Sequence, residues 1–189
     1  MKAQQEILTP VLMMGILIAV IGSIYLWGIP LIQKNKDITT LEKTEDFMKN
    51  LNNKIKNVAN TGGRDQIMID VSGTLTFDPT ANSISVETKT KGTIYSVGDR
   101  VPFVRNMSET GIWGKDEPEI LYAESRKIGE NYLTVYNLTY RQLNALGASY
   151  KIILDGVTQS SGQNHNIIIE NKGSSVDGLT KTMVGIRIE

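Results

Sequence analysis

The one histidine, His165, sits in a Gln-Asn-His-Asn-Ile stretch. It is the side chain best suited to trade protons near neutral pH. A nucleophile needs such a base within hydrogen-bond reach and a third group to orient it, and nothing around His165 has that form. The chain carries no G-x-S-x-G, Walker loop, G-x-G-x-x-G or H-E-x-x-H. It has no cysteine, which removes disulfides, thiolate nucleophiles and cysteine-based zinc sites together. A single histidine rules out a multi-histidine metal site within one chain. Asp116, Glu117 and Glu119 gather around Pro118, and three carboxylates suit a hard cation such as Ca²⁺. The EF-hand spacing is missing, and acidic residues beside a proline read as a solvated loop. The expectation is a protein that is not an enzyme, with no catalytic, cofactor or metal residue assigned. Two patterns for modification remain, Asn106-Met107-Ser108 and Asn137-Leu138-Thr139. Both are acceptor sequons for N-glycosylation, meaningful only outside the cytoplasm. Asn106 falls in a loop and Asn137 in a strand.

The elements that carry these residues divide the chain unevenly. Residues 7–32 hold no charged side chain, and 14 of those 26 are Ile, Leu or Val. A hydrocarbon core of ~30 Å takes about 20 helical residues to cross, so the run is long enough to span with some tilt. Tyr25 and Trp27 stand near its end, where amphipathic rings prefer the headgroup level. The expected partner is membrane lipid. Gly15 and Gly22, seven apart, lie near one face and allow close helix approach. Pro30 cannot donate to the preceding turn, which predicts a kink or break at residues 28–30.

Apolar residues then recur at Ile38, Leu41, Met48, Leu51, Ile55 and Val58, with Phe47 beside them. That is one helical stripe. Asp37 is placed to cap its start, and Thr61-Gly62-Gly63 to end it. Two readings of the stripe stay open. It packs on the following domain as part of its core, or it also meets neighbouring subunits.

From Arg64 the apolar period drops to two. Strands are expected over 66–71, 73–78, 83–88, 93–97, 101–104, 119–128, 132–138, 150–154, 166–170 and 183–188. Turns fall at 79–82, 129–131, 155–156, 161–162 and 172–173, residues 107–117 read as loop, and 141–146 as a helical turn. Eight to ten short strands at such intervals form an antiparallel sandwich or rolled sheet. The fold class is therefore α+β: a long N-terminal transmembrane and amphipathic helix, then an antiparallel β-sandwich-like domain. The divisions are 1–6 (short leader), 7–32 (membrane helix), 33–62 (amphipathic helix) and 63–189 (β domain). Past Thr61 the chain has 13 basic and 15 acidic residues, so no positive field invites nucleic acid.

The leader Met1–Glu6, the apolar helix, the amphipathic continuation and the β head together resemble the type IV pilin superfamily. Within it they are most similar to archaeal pilin-like proteins with β-sandwich heads. The resemblance implies that a prepilin peptidase cuts between Ala3 and Gln4. Glu6, at the third mature position where the family often has glutamate at the fifth, is implied to assist assembly. A glutamate in hydrocarbon is costly unless paired, and the free amine of a neighbour would pair with it. The function implied is a structural subunit of a surface filament, a homo-oligomer through the N-terminal helix, with the head extracytoplasmic. The alternative is a single-pass, membrane-anchored extracytoplasmic binding domain with an unidentified ligand.

Overall fold

A computed structural model of the chain describes residues 2–103, 117–145 and 148–189, with side chains over 10–103, 117–144 and 148–189. Helix α1 (Lys2–Ser23) runs into a five-residue π-turn (Ile24–Gly28) and then helix α2 (Ile29–Thr61). Among the described residues eleven strands follow: β1 (Arg64–Met68), β2 (Thr74–Asp78), β3 (Ser83–Thr90), β4 (Arg100–Pro102), β5 (Glu119–Ile128), β6 (Asn131–Tyr140), β7 (Leu143–Ala145), β8 (Ala148–Asp155), β9 (Gln159–Ser161), β10 (Asn166–Asp177) and β11 (Leu179–Ile188). The α+β organisation expected from the sequence is what forms.

The strands make two sheets, ordered β1-β10-β11-β8-β7 and β4-β5-β6-β3-β2-β9. All pairings are antiparallel except β8 with β11, which run parallel. The chain between those two strands first adds β9 to the edge of the other sheet, beside β2, and then returns as β10 beside β11. That excursion ties the sheets together, and the Ile188 amide donates across to Gln159 Oε1 at 2.9 Å.

One apolar cluster joins both sheets and α2. Ile167, Ile169, Val184, Ile186 and Leu154 come from the first sheet, and Phe77, Ile84, Val86, Leu121 and Leu138 from the second. Leu41, Phe47, Met48, Leu51, Ile55 and Val58 of α2 complete it. The helical stripe is thus a wall of the head's own core, because alternating strands leave an apolar face that must be covered. Gly62, at φ +79°, ends the helix, with its amide on the Val58 carbonyl at 3.0 Å.

Four local expectations need correction. The helix does not break at Pro30, and the irregularity expected at 28–30 takes the form of the π-turn over Ile24–Gly28. The π-turn lets the Ile29 amide reach the Ile24 carbonyl, and Gly28 and Ile29 keep helical dihedrals, so widening one turn absorbs the missing donor. Residues 93–97 form no strand: only Val97 bridges to Ser125, and the Tyr95 amide donates locally to the Thr93 hydroxyl at 3.1 Å instead of to a neighbouring strand. Of the helical turn expected over 141–146, residues 143–145 are instead β7, paired with β8, and residue 146 lies outside the described residues. Lys172-Gly173 is a bulge rather than a turn: pairing of β10 with β11 continues past it after a register shift. The one extra residue is accommodated within the strand.

Candidate membrane and assembly interface

The apolar rod and the stretch of α2 packed on the head are two parts of one helical column, and they meet opposite surroundings. From Pro10 to Ile32 the helix lies outside the head. Leu26 and Trp27 are 75% and 84% exposed, and no part of the most apolar window is covered by the protein. Those 23 positions, counted from the sequence, rise about 34 Å at 1.5 Å each, which matches a bilayer core. Apolar residues lie exposed on every side of it, so no single face stands out from the rest. Among the described residues it is the one helix long and apolar enough to cross a membrane. Ser23 satisfies its hydroxyl within the helix, on the Ala19 carbonyl at 2.8 Å.

Above the rod, polar side chains on the buried stripe lock α2 to the head. Asp37, expected as a cap, is buried mid-helix. One carboxylate oxygen accepts from Gln33 Nε2 and the other from the Gly92 amide, both at 2.8 Å. Its role is to fasten the loop after β3 against the helix. One turn higher the Tyr136 hydroxyl reaches the Leu41 carbonyl at 2.8 Å and the Tyr95 hydroxyl at 3.2 Å. Tyr95 in turn donates to Glu45 at 2.9 Å. The rings of Tyr95, Tyr136 and Phe103 pack within 6.0 Å of one another. Burial pushes both phenols well above their ordinary range, so they stay neutral hydrogen-bonding groups.

Two turns further, Asn52 donates to Glu119 at 2.8 Å and accepts from Tyr140 at 2.9 Å. Lys56 holds Glu117 at 2.8 Å and Glu119 at 2.9 Å. Partial burial works against the Lys56 charge, but the two carboxylates outweigh it and raise its pKa. Near the helix end Lys54 grips both oxygens of Asp65 on β1, each at 2.8 Å. That bond outweighs the cost of desolvation and holds the Asp65 carboxyl below its usual range. Asn171 of β10 caps the last turn by donating to the Val58 carbonyl at 2.9 Å. Buried polar groups must be paired, and paired ones fix register; here they fix the helix against both sheets.

The residues singled out from sequence fall in scattered places. The side chains of Ala3, Gln4 and Glu6 lie outside those described, as do Asn106 and Asp116. Asn137 lies on β6, between β3 and β5, and its Nδ2 donates to the Tyr122 hydroxyl at 3.0 Å. Glu117 and Glu119 converge on an ammonium rather than standing free. Among the described residues no three His, Asp or Glu side chains assemble as a metal set. His165 is exposed in the turn before β10, its Nδ1 3.0 Å from the Gln163 carbonyl. Sequence reading missed Asn52, Glu45 and the three tyrosines as a group. The available signal was a polar residue recurring in the stripe's own period, at 37, 44 and 52.

No protein-family model matches the chain, and neither a curated protein nor a solved structure matches it.

Proposed function

We propose that this chain is a pilin-like structural subunit of a cell-surface filament, its apolar rods packing as the fibre core and its β heads outside. One observation carries the reading. A single uninterrupted helical column is apolar and uncovered on all sides below Gln33, and fastened to a folded head by buried polar contacts above it. Force on the rod therefore passes directly into the head, as a load-bearing subunit requires and a flexibly tethered domain does not. Cleavage between Ala3 and Gln4 frees an amine, and Glu6 of a neighbouring rod gives it a partner within hydrocarbon. The head then lies on the extracytoplasmic side. Mass spectrometry of the mature N-terminus tests the processing step: a start at Gln4 supports it, and an intact Met1 or Lys2 opposes it. Electron microscopy of cells with and without the gene tests assembly, and fibres unaffected by deletion sink the proposal.

The second reading, a single-pass anchored binding domain, is favoured by a groove of about 310 Å³ between the α2 end and β8, lined by Ala59, Pro118, Leu143, Tyr150 and Ile152. In that case the N-terminus stays uncut and the protein is found as dispersed single chains in the membrane.

A further inference from the structure

We propose that the end of the head nearest the rod is a bilayer-facing surface that takes anionic lipid headgroups between Lys34 and Lys91. The inference rests on the rod being a membrane span, and it holds for a filament subunit before assembly as well as for a lone anchored chain. The bond from the Gly92 amide to Asp37 holds the loop after β3 beside the first turns of α2. Lys91 and Gly92 share a groove of about 390 Å³ with Ile29, Pro30, Gln33, Lys34 and Asp37. Ile29 and Pro30 belong to the apolar run, and Lys34 is the first charge after it. The groove therefore straddles the boundary, with an apolar floor for acyl chain and two ammonium groups for phosphate.

Sheet register brings further positive charge to the same end. Thr90 pairs with Tyr132, and Tyr132 with Lys127. The β5–β6 turn thus lies level with Lys89 and Lys91. Lys34, Lys36, Lys89, Lys91 and Lys127 are exposed, and among the described residues none of them is in an ion pair. Higher on α2, Lys49, Lys54 and Lys56 are each paired. Ile94, Val97 and Ile128 stand about half exposed among these lysines. Opposing carboxylates stand at the same end. Asp37 faces the groove, but its oxygens are taken by Gln33 and Gly92. Glu124 is held by Arg100 and Arg126. With Asp70, beside Lys36 and Lys43, and exposed Glu87, Asp99 and Glu130 counted against the lysines and the two arginines, the end keeps a small positive excess, concentrated at Lys34 and Lys91. A lysine against an anionic leaflet raises binding about fivefold, so losing two costs on the order of twentyfold.

The absence of cysteine allows a single spin label through Ile94→Cys in the full-length chain. The label is read in nanodiscs of phosphatidylcholine, with and without phosphatidylglycerol, by its accessibility to a water-soluble relaxation agent. Accessibility is expected to fall severalfold with phosphatidylglycerol, to recover in high salt, and to stay high in Lys34→Gln/Lys91→Gln. Hydrogen exchange of residues 93–97 in the unlabelled chain should follow the same pattern. Both lysines are exposed and unpaired, so an unchanged thermal melt is expected for the double variant. Equal accessibility in both lipids overturns the proposal. Protection that tracks chains per disc rather than lipid charge also overturns it and assigns the surface to a second copy. Missing filaments would sink the pilin reading and leave this readout unmoved.

Discussion

Cutting the chain between α2 and β1 isolates what the helix gives the head. A fragment of residues 64–189 lacks Leu41, Phe47, Met48, Leu51, Ile55 and Val58, each at most 5% exposed in the intact chain. Burying a large apolar side chain stabilises by about 1.5–3 kcal/mol, so the six contribute about 9–18 kcal/mol as an upper estimate. A whole domain is stable by only about 5–15 kcal/mol. Loss of the helix should therefore unfold the fragment, which also leaves Tyr140, Glu119 and Asn171 without their helix partners. A fragment of residues 33–189 keeps every one of these contacts and loses only the exposed rod. Circular dichroism melts and urea titrations of both fragments are the assay. One cooperative transition is expected for 33–189 and none for 64–189. A 64–189 fragment that melts cooperatively within a few degrees of 33–189 refutes the claim that the helix is part of the core.

Leu51→Ala in the 33–189 fragment should cost about 3–5 kcal/mol, read from the urea midpoint. Asp37→Ala leaves the Gly92 amide without its acceptor; a cost of about 1.5–3 kcal/mol is expected, with faster hydrogen exchange confined to the loop after β3. Burial pushes the phenols of Tyr95, Tyr136 and Tyr140 above their ordinary 10.0. The unfolded chain ionises them near that value and the folded chain does not, so their contribution is complete below pH 10 and lost as the pH rises further. By pH 11 the three together should forfeit about 4 kcal/mol; a urea midpoint flat from pH 9 to 11 would refute this, and Tyr140→Phe should reduce the slope. Gly156→Ala places a Cβ against the Ile186 carbonyl and the Phe77 ring at φ +153°, so a loss of about 2–5 kcal/mol is expected by thermal melt.

Much of this architecture was legible because it depends on local period. The change from a helical stripe to alternation at Arg64 marks the boundary seen between α2 and β1. Asp78 accepting the Thr80 and Ala81 amides is the turn chemistry that Pro79–Asn82 advertises. Gly129, at φ +62°, turns the β5–β6 hairpin as expected. Errors arose where a residue's partner lies far along the chain. Asp37 looks like a cap because its acceptor role is usually local, yet it serves an amide 55 residues on. Tyr95 sits in an alternating stretch that should be a strand, but its ring and hydroxyl are claimed by Tyr136 and Glu45. Lys172-Gly173 reads as a turn because glycine permits one; pairing with β11 made it a bulge.

Composition and period alone decided that the leading helix is long and apolar enough to cross a membrane and that a β head follows it, since both follow from side-chain transfer energies and the geometry of 3.6 and 2 residues per repeat. Tertiary structure decided that the stripe closes the head's core, that β8 and β11 run parallel, and that five lysines share the end facing the rod. Those outcomes depend on which distant segments meet, and pairing between distant segments is written in no single stretch of the chain.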